Sequence, residues 1–456
     1  MSAGEWRDRR VCVAGLGVSG VSVARALLAR GASVIAVEAR SHEREQEIAA
    51  ELRGLGAVVR LDDAESPVDV DLVVTSPGWR PSQPLLTAAQ RSGISIIGEP
   101  ELAWQLRPKG AAPWLGVTGT NGKTTTVGML DSILTAAGYR SVAAGNVGLP
   151  LVDAVLADPP YDVIAVEMSS FQLHWSSSIR FTAAAILNVA PDHLDWHGTL
   201  EMYAETKGRI CDGAFTVFNL DDDVTVQLTA GCERRVGFTL ADPPSGAFGV
   251  RDGFLVQAEG VPVLPVDEIH PRGPHNVANA LAASALAHAF GVSPEQIATG
   301  LSTYRPGPHR NALIASVDSV AYVDDSKATN PHAASASLAA YDSVVWIAGG
   351  LLKGADVDAL VAEHHGRLRG AVVLGQDRDV IHDALARHAP DVPVVEVAAT
   401  DTGAMSAAVH AAARLATPGD TVLLAPAAAS MDIFRDYAER GELFAAAVRT
   451  LAEHGE

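Results

Sequence analysis

The chain is predicted to be a three-domain α/β protein, with an N-terminal Rossmann-like domain, a central P-loop ATPase-like parallel sheet carrying a small antiparallel insertion, and a C-terminal Rossmann-like domain. Three observations predict this. Its 456 residues suffice for three cores at about 150 residues per domain. Short β-branched runs alternate with helical patterns along most of the chain, the layout of parallel sheets with crossover helices. A Gly-rich turn follows a strand and opens a helix twice, at Gly15 to Gly20 and at Gly119 to Thr125.

In the first hundred residues, Val11 to Ala14, Ser33 to Val37, Leu72 to Thr75 and Ile94 to Ile97 read as strands, with Ser22 to Arg30 and Pro84 to Arg91 as helices. Pro, Lys, Gly and Pro then interrupt the pattern within Arg107 to Pro113, so the first domain is bounded at 1–108. The central domain, 109–306, opens on a strand at Trp114 to Thr118 and continues with a helix over Thr124 to Ala137 and strands at Val163 to Glu167, Ala184 to Leu187 and Phe215 to Phe218. Phe238 to His270 is rich in Gly and Pro, with alternating runs such as Gly253 to Gln257, and reads as the antiparallel insertion. Tyr304 to His309, with two prolines and a glycine, is a boundary and a candidate hinge before the third domain, 307–456. That domain has strands at Ser343 to Ala348, Ala371 to Leu374, Val394 to Val397 and Thr421 to Leu424, with helices between.

Composition narrows the function. Hydrophobic residues at 48% and charged residues at 19% exclude a disordered or low-complexity chain. The net charge of -20, with no local basic stripe, disfavours nucleic acid. It leaves nucleotides open, because a Gly-rich loop with one Lys binds phosphate locally. Cys12, Cys211 and Cys232 are few, odd in number and far apart, the pattern of a reducing compartment rather than of a disulfide framework or zinc site. Met1 to Arg10 is charged and has no apolar signal region. Even the Ala-rich stretch Ala278 to Phe290 is broken by His288 and reads as a core helix. The expectation is a cytoplasmic protein without integral membrane contact.

Gly15-Leu16-Gly17-Val18-Ser19-Gly20, with Glu38 closing the next strand, has the spacing of a dinucleotide-binding turn, whose glycines let the backbone and helix amides approach a diphosphate. A tight turn with no ligand is the alternative. The second loop, Thr118-Gly119-Thr120-Asn121-Gly122-Lys123-Thr124-Thr125, resembles a shortened P-loop, since the first Gly of the strict pattern would fall on Val117. Its amides form an anion nest, Lys123 neutralises phosphate charge, and the Thr124 hydroxyl can ligate Mg2+. A dinucleotide-dependent oxidoreductase leaves this loop without a role. A nucleotide-binding switch leaves the first turn without one.

Further residues carry a resemblance: Gly145-Asn146-Val147-Gly148, Glu167 to Leu173, Asn188 to Asp195, Lys207, His275 to Ala280, His309-Arg310, Asp325 to Asn330 and Ser430, together with Gly119 to Thr125. On these the chain resembles, across all three domains, the Mur ligases, ATP-dependent amide-forming enzymes of peptidoglycan synthesis. The resemblance implies ATP contacts from Gly119, Thr120, Asn121, Gly122, Lys123, Thr124, Thr125, Asn276, Arg310 and Asp325. It implies ligation of one or two Mg2+ ions by Thr124, Glu167, His193 and Lys207, the last as a carbamate, with Lys123, Glu167, His193 and Lys207 as the catalytic set. Contacts to a UDP-linked substrate are implied for Gly17, Val18, Ser19, Glu38, Ala39, Ser76, Pro77, Gly78, Asn146 and His193. Lys327, Thr329, Lys353, Ser430 and Tyr437 would line an amino-acid pocket, and two lysines with several hydroxyls suit an acidic amino acid.

The complete first turn with Thr75-Ser76-Pro77-Gly78 looks like the branch that adds D-glutamate to UDP-N-acetylmuramoyl-L-alanine. The L-alanine-adding branch is the nearest rival, and folate polyglutamation lacks such a first domain. Bland alternatives stand beside several residues: a cap or surface acid for Glu167, a solvated face for Lys207, and helix caps for Asn276 and Asn279. His197 is the plausible decoy for His193.

Overall fold

The computed structural model describes residues 6–63 and 69–454, so residues 1–5 of the charged N-terminal stretch lie outside the described residues. The chain divides into two compact units, one running to Pro265 and including Asn279–Thr303, the other formed by Val266–Ala278 and the chain from Tyr304 onward.

The first unit contains two parallel sheets. Strands β1 (Arg10–Ala14), β2 (Ser33–Glu38), β3 (Val58–Leu61), β4 (Leu72–Thr75) and β5 (Ser95–Gly98) form the first, in the order β3-β2-β1-β4-β5. Val11, Cys12, Val13 and Ala14 are all buried, because helices cover both faces of a parallel sheet and its central strand has no wet side. The strand order reverses direction between β1 and β4, and at such a switch point the loops beyond the strand ends diverge and leave a crevice. The Gly15 turn and Ser76-Pro77-Gly78 both lie there. The helix after β1 spans Val18–Leu28 rather than starting at Ser22, with Gly17 as its N-cap. Three elements of residues 6–106 were not anticipated: β3, the helix Glu99–Leu106 and the helix Glu43–Gly54. The last is strongly polar and buries only Glu45, Ala49 and Leu52, a stripe too thin to stand out by hydrophobic periodicity.

The second sheet contains β6 (Trp114–Thr118), β7 (Ser141–Gly145), β8 (Val163–Glu167), β9 (Ala183–Ile186), β10 (Phe215–Asn219) and β11 (Arg235–Phe238), ordered β11-β10-β9-β6-β8-β7. Every residue of β6 and β8 is buried. The insertion is antiparallel as expected, but it begins later. Phe238 ends a strand of the parallel sheet, and the three antiparallel strands are β12 (Gly249–Arg251), β13 (Phe254–Val256) and β14 (Pro262–Pro265). Asp252 and Gly253 have φ of 50° and 79°, the left-handed pair that a two-residue hairpin turn requires.

In the second unit, β15 (Ala312–Val317), β16 (Val320–Asp324), β17 (Val344–Gly349), β18 (Leu368–Leu374), β19 (Val394–Val397) and β20 (Thr421–Leu424) form a sheet ordered β15-β16-β20-β17-β18-β19. β15 and β16 make an unanticipated antiparallel hairpin at its edge. The remaining pairs are parallel. Among the described residues, no helix is long and apolar enough to cross a membrane.

Candidate active site

The loop after β6 is held from both sides by its neighbouring strands. On the β9 side, Asn188 accepts from the Asn121 amide at 2.9 Å through Oδ1 and donates through Nδ2 to the Asn121 carbonyl at 3.1 Å. The Thr120 hydroxyl donates to the Ala190 carbonyl at 3.1 Å and lies 3.2 Å from the Tyr203 hydroxyl. On the β8 side, the Thr124 hydroxyl donates to Glu167 Oε2 at 2.7 Å, and Asn146 Nδ2 donates to Glu167 Oε1 at 2.8 Å. Glu167 is buried, so it is neither a surface acid nor a helix cap. The cap of the following helix is Ser169, which accepts from the Gln172 amide.

Gly122 has φ of 83°, and a Cβ there would fall 2.3 Å from Asn279 Oδ1. Only glycine combines this left-handed backbone with so close an approach. Lys123 Nζ donates to the carbonyls of Gly119 and Thr120, each at 2.9 Å. Lys207 Nζ donates to the same Gly119 carbonyl at 2.7 Å. Lys207 is 1% exposed, which rules out a solvated face. Burial, and then the charge of Lys123, hold its pKa well below the ordinary lysine value.

These residues fit a nucleotide with Mg2+. Lys123, at the end of the loop, and Lys207, on the helix Leu200–Gly208, converge on the Gly119 carbonyl, and nearby the Thr124 hydroxyl donates to the Glu167 carboxylate at the end of β8. Among the described residues no three His, Cys, Asp or Glu side chains cluster as a metal site. A cation here would therefore rely on few protein oxygens and on the phosphates, which is how Mg2+ is commonly bound.

His193 is a left-handed N-cap, φ 53°, of the short helix Leu194–His197. Its ring lies 4.8 Å from that of Phe171, and burial first among several causes lowers its pKa. His197 is buried against Ser170, with Nε2 2.9 Å from the hydroxyl. Burial pushes its pKa down to about 4, and it stacks on Phe171.

In the first crevice, the Leu16 amide donates to Glu38 Oε2 at 2.8 Å. Glu38 thus supports the turn as well as closing β2. A Cβ at Gly20 would fall 1.9 Å from the Gly15 carbonyl, whereas one at Gly17 would meet nothing within 4 Å. Val18 is 64% exposed, Ser19 is partly buried and Ala39 is exposed. Ser76 donates to the Gly15 carbonyl at 3.3 Å, which joins the two loops of the switch point; Pro77 and Gly78 follow it. Asn146 is engaged with Glu167 instead, on the second sheet. Arg80 and Asp195, 2.6 Å apart, connect the loop after β4 to the His193 segment.

The second unit holds the remaining expected residues. Asn276 Nδ2 donates to the Arg272 carbonyl at 3.2 Å. Asn276 lies inside the helix Pro274–Ala289, past the N-cap position. Asn279, in the first unit, lies further inside the same helix and accepts from Thr126 at 3.2 Å, so it is no cap either. Asp325 accepts from the Asn311 amide at 3.2 Å; burial raises its pKa to about 6, and the charge of nearby Arg310 opposes that shift. Lys327 Nζ lies 3.6 Å from the centroid of the Tyr437 ring, and the Thr329 amide donates to the Lys327 carbonyl at 2.8 Å. Lys353, φ 54°, is on the loop after β17. Leu351 and Ala429 exchange backbone hydrogen bonds at 2.8 and 2.9 Å, which draws that loop beside buried Ser430.

Sequence reasoning gave no role to Tyr203, Asn188 or Arg440. Tyr203 lies one turn before Lys207, and Lys207 Nζ is 4.5 Å from its ring centroid; that i, i+4 spacing was the available signal. Arg440 is 1% exposed and donates to the carbonyls of Ser326 and Ala428 at 2.8 and 3.0 Å. Nothing local in the sequence marks it.

A phosphate loop braced by a buried carboxylate and a buried lysine, beside a second Gly-rich crevice, defines a nucleotide-using α/β protein. The chain belongs to the Mur ligase family: it matches the Mur ligase MurD-like N-terminal domain over residues 9–98, the Mur ligase middle domain over 117–287, and the Mur ligase glutamate ligase domain over 309–428. It is 55% identical to the UDP-N-acetylmuramoylalanine--D-glutamate ligase of Streptomyces avermitilis, covering 98% of this chain and 99% of that protein. It is 56% identical to the protein of the same name from Thermobifida fusca, covering 98% and 100%. In fold it is similar to a UDP-N-acetylmuramate-alanine ligase from Thermotoga maritima, with a TM-score of 0.60 at 18% identity over 97% of this chain and 99% of that one.

Proposed function

We propose that this chain joins D-glutamate to UDP-N-acetylmuramoyl-L-alanine with ATP, forming ADP and phosphate through an acyl phosphate, as a cytoplasmic step of peptidoglycan precursor synthesis. The names of relatives at 55% and 56% identity support the substrates. The observation that carries the chemistry is the convergence of Lys123 and Lys207 on the Gly119 carbonyl beside the Thr124–Glu167 pair.

In this reading residues 1–108 bind the UDP part, 109–306 bind ATP, and 307–456 supply the amino-acid residues. The Gly119 to Thr125 segment cradles the phosphates with those amides that Asn188 does not already hold, and Asn276, Arg310 and Asp325 serve the nucleotide. Lys123 draws charge from the γ-phosphoryl group as the substrate carboxylate attacks it, which stabilises the transition state electrostatically. Thr124, Glu167, His193 and Lys207 would hold one or two Mg2+ ions, which when bound neutralise phosphate charge. Lys207 can serve an ion only as an anion. Its depressed pKa favours the neutral amine, the form that adds CO2 to give a carbamate.

Gly17, Val18, Ser19, Glu38, Ala39, Ser76, Pro77 and Gly78 hold the UDP group, with Asn146 and His193 nearer the reacting carboxyl. Lys327, Thr329, Lys353, Ser430 and Tyr437 hold D-glutamate, whose neutral amine attacks the acyl phosphate and expels phosphate. Excluding water at that stage prevents hydrolysis of the intermediate.

The test is release of ADP and phosphate from ATP, Mg2+ and UDP-N-acetylmuramoyl-L-alanine with D-glutamate, L-glutamate, L-alanine or no amino acid. Turnover with D-glutamate alone is expected. A folded, ATP-binding protein inactive with all four would overturn the reading.

A further inference from the structure

Arg310 sits between two residues with left-handed backbone, His309 at φ 61° and Asn311 at φ 50°. Residues other than glycine adopt that region only where the surrounding structure holds them in it, and such residues gather at functional sites. Both flanks are held here. On one side, His309 Nδ1 lies 2.6 Å from Asp324 Oδ2 with both groups buried, and the Lys327 amide donates to the His309 carbonyl at 3.2 Å. A Cβ at Gly441 would fall 2.1 Å from His309 Nδ1, so the helix Tyr437–His454 closes over that ring. On the other side, buried Asn311 is engaged through three groups. Its amide donates to Asp325 Oδ1 at 3.2 Å, its Nδ2 donates to the Arg272 carbonyl at 3.3 Å, and its Oδ1 accepts from the Tyr341 hydroxyl. Tyr341 is fixed in turn. Its amide donates to the Leu338 carbonyl at 3.2 Å, closing the turn after the helix Pro331–Leu338, and its carbonyl accepts from Arg367 at 2.8 Å. The Arg272 carbonyl also accepts from Asn276 Nδ2 at 3.2 Å, so one carbonyl ties Asn276 to the Arg310 segment.

We propose that Asn311 and Tyr341 are positioning residues of the nucleotide site, which lock the backbone that presents Arg310 by anchoring it to Asp325, Arg272 and the end of the helix Pro331–Leu338. The proposal rests on the reading that Asn276, Arg310 and Asp325 serve the nucleotide, and deepens it. Asparagine suits the task because its short polar side chain makes the left-handed region accessible and can donate and accept at once. A carbonyl can only accept, so the Arg272 carbonyl turns the Asn311 amide nitrogen toward itself and leaves the amide oxygen for the Tyr341 hydroxyl. Removing that hydroxyl frees one end of the amide and loosens the backbone beside Arg310. Neither residue contributes a reacting atom; both act through Arg310.

The experiment measures the binding of ADP with Mg2+ to the full-length chain by titration calorimetry. It compares wild type with Tyr341→Phe, Asn311→Gly, Arg310→Ala and the double variant Tyr341→Phe with Arg310→Ala. Asn311→Gly keeps the left-handed backbone and the amide that bonds Asp325, and removes only the side chain. Tyr341→Phe removes one hydroxyl. Each should weaken ADP binding by about 3- to 10-fold, the range for one lost hydrogen bond. In turnover, KM for ATP should rise by the same factor while KM for UDP-N-acetylmuramoyl-L-alanine stays unchanged. In the double variant, Tyr341→Phe should add about twofold at most to the loss caused by Arg310→Ala, since nothing then remains to be positioned. Fully additive losses, both KM values rising together, or wild-type ADP affinity in a folded Asn311→Gly or Tyr341→Phe would each overturn the proposal. Wild-type ADP affinity in Arg310→Ala would overturn the underlying reading of Arg310, and the proposal with it. Should one of the two variants fail to fold, the other decides.

Discussion

Thr124 and Glu167 meet at the end of β8 through a 2.7 Å hydrogen bond in which the hydroxyl donates to Oε2. The other oxygen of Glu167 accepts from Asn146. A residue in the first turn of the helix Lys123–Ala136 and a residue after β7 are thus both oriented by one buried carboxylate. Glu167→Gln keeps the shape but removes the charge and sets an amide against two donors. We expect kcat for ADP release to fall by about 10²- to 10³-fold, the range for losing one preorganised electrostatic group. The Mg2+ concentration for half-maximal rate should rise. A variant with wild-type Mg2+ dependence would remove Glu167 from the metal site.

Lys207 Nζ faces a carbonyl and the charge of Lys123, not a carboxylate at bonding distance. In the folded chain its pKa lies below the unfolded value, so between those two values the folded state binds fewer protons. That contribution makes stability rise with pH across the window. Incubation with 13C-bicarbonate should produce a carbamate carbon signal that Lys207→Met abolishes, together with most of the ligase activity. An unchanged signal in the variant would place the carbamate elsewhere.

Gly17 and Gly20 separate ligand approach from packing. Gly17 has φ of -68° and room for a Cβ, so Gly17→Ala should leave the melting temperature unchanged. If the turn holds the UDP diphosphate, KM for the UDP substrate should nevertheless rise. Gly20→Ala meets the Gly15 carbonyl at 1.9 Å and should lose stability by about 1–3 kcal/mol, the usual cost of overpacking. Thermal melts and substrate titration of both variants distinguish the two effects.

Glu99 is buried, with Oε1 accepting from the Val152 amide at 2.7 Å and Oε2 without a partner. Burial raises its pKa from 4.5 to about 7. The folded state therefore holds the proton more tightly than the unfolded state. This contribution is fully present below pH 4.5 and is lost as pH rises through 7. Glu99→Gln removes the titration, so its stability relative to wild type should increase between pH 5 and pH 8, by a few kcal/mol at most. A difference that is flat in pH would show that Glu99 does not titrate in that range.

Much of this site was legible before folding was considered. The Gly-Lys-Thr-Thr run marks a phosphate loop because amides, ammonium and hydroxyl act over a few adjacent residues. Glu167 stood out as a carboxylate ending an apolar strand. Lys207 carried no local mark, and only the resemblance singled it out. Its burial follows from its helix packing against the helix Ser170–His174 while the 3-10 turn that continues it, Arg209–Cys211, packs on β6 and β9. His193 and His197 share one short segment and both rings meet Phe171, but only His197 is buried, against the Ser170 hydroxyl. Asn276 and Asn279 looked like helix caps because the helix start at Pro274 is not visible in a sequence rich in alanine.

The sequence by itself determined the α/β class, both Gly-rich turns and most strands, because periodicity, β-branching and glycine conformation are properties of neighbouring residues. Tertiary structure decided which distant groups meet: Glu167 with Thr124, Lys207 with the Gly119 carbonyl, and Asn188 with Asn121. Those meetings depend on strand order. β6 lies between β8 and β9 although β7 follows it in the chain, and no local preference encodes which strand becomes which neighbour. Burial then set the protonation of Lys207, Glu99 and Asp325, because the loss of surrounding water is a property of the packed fold and not of the residue.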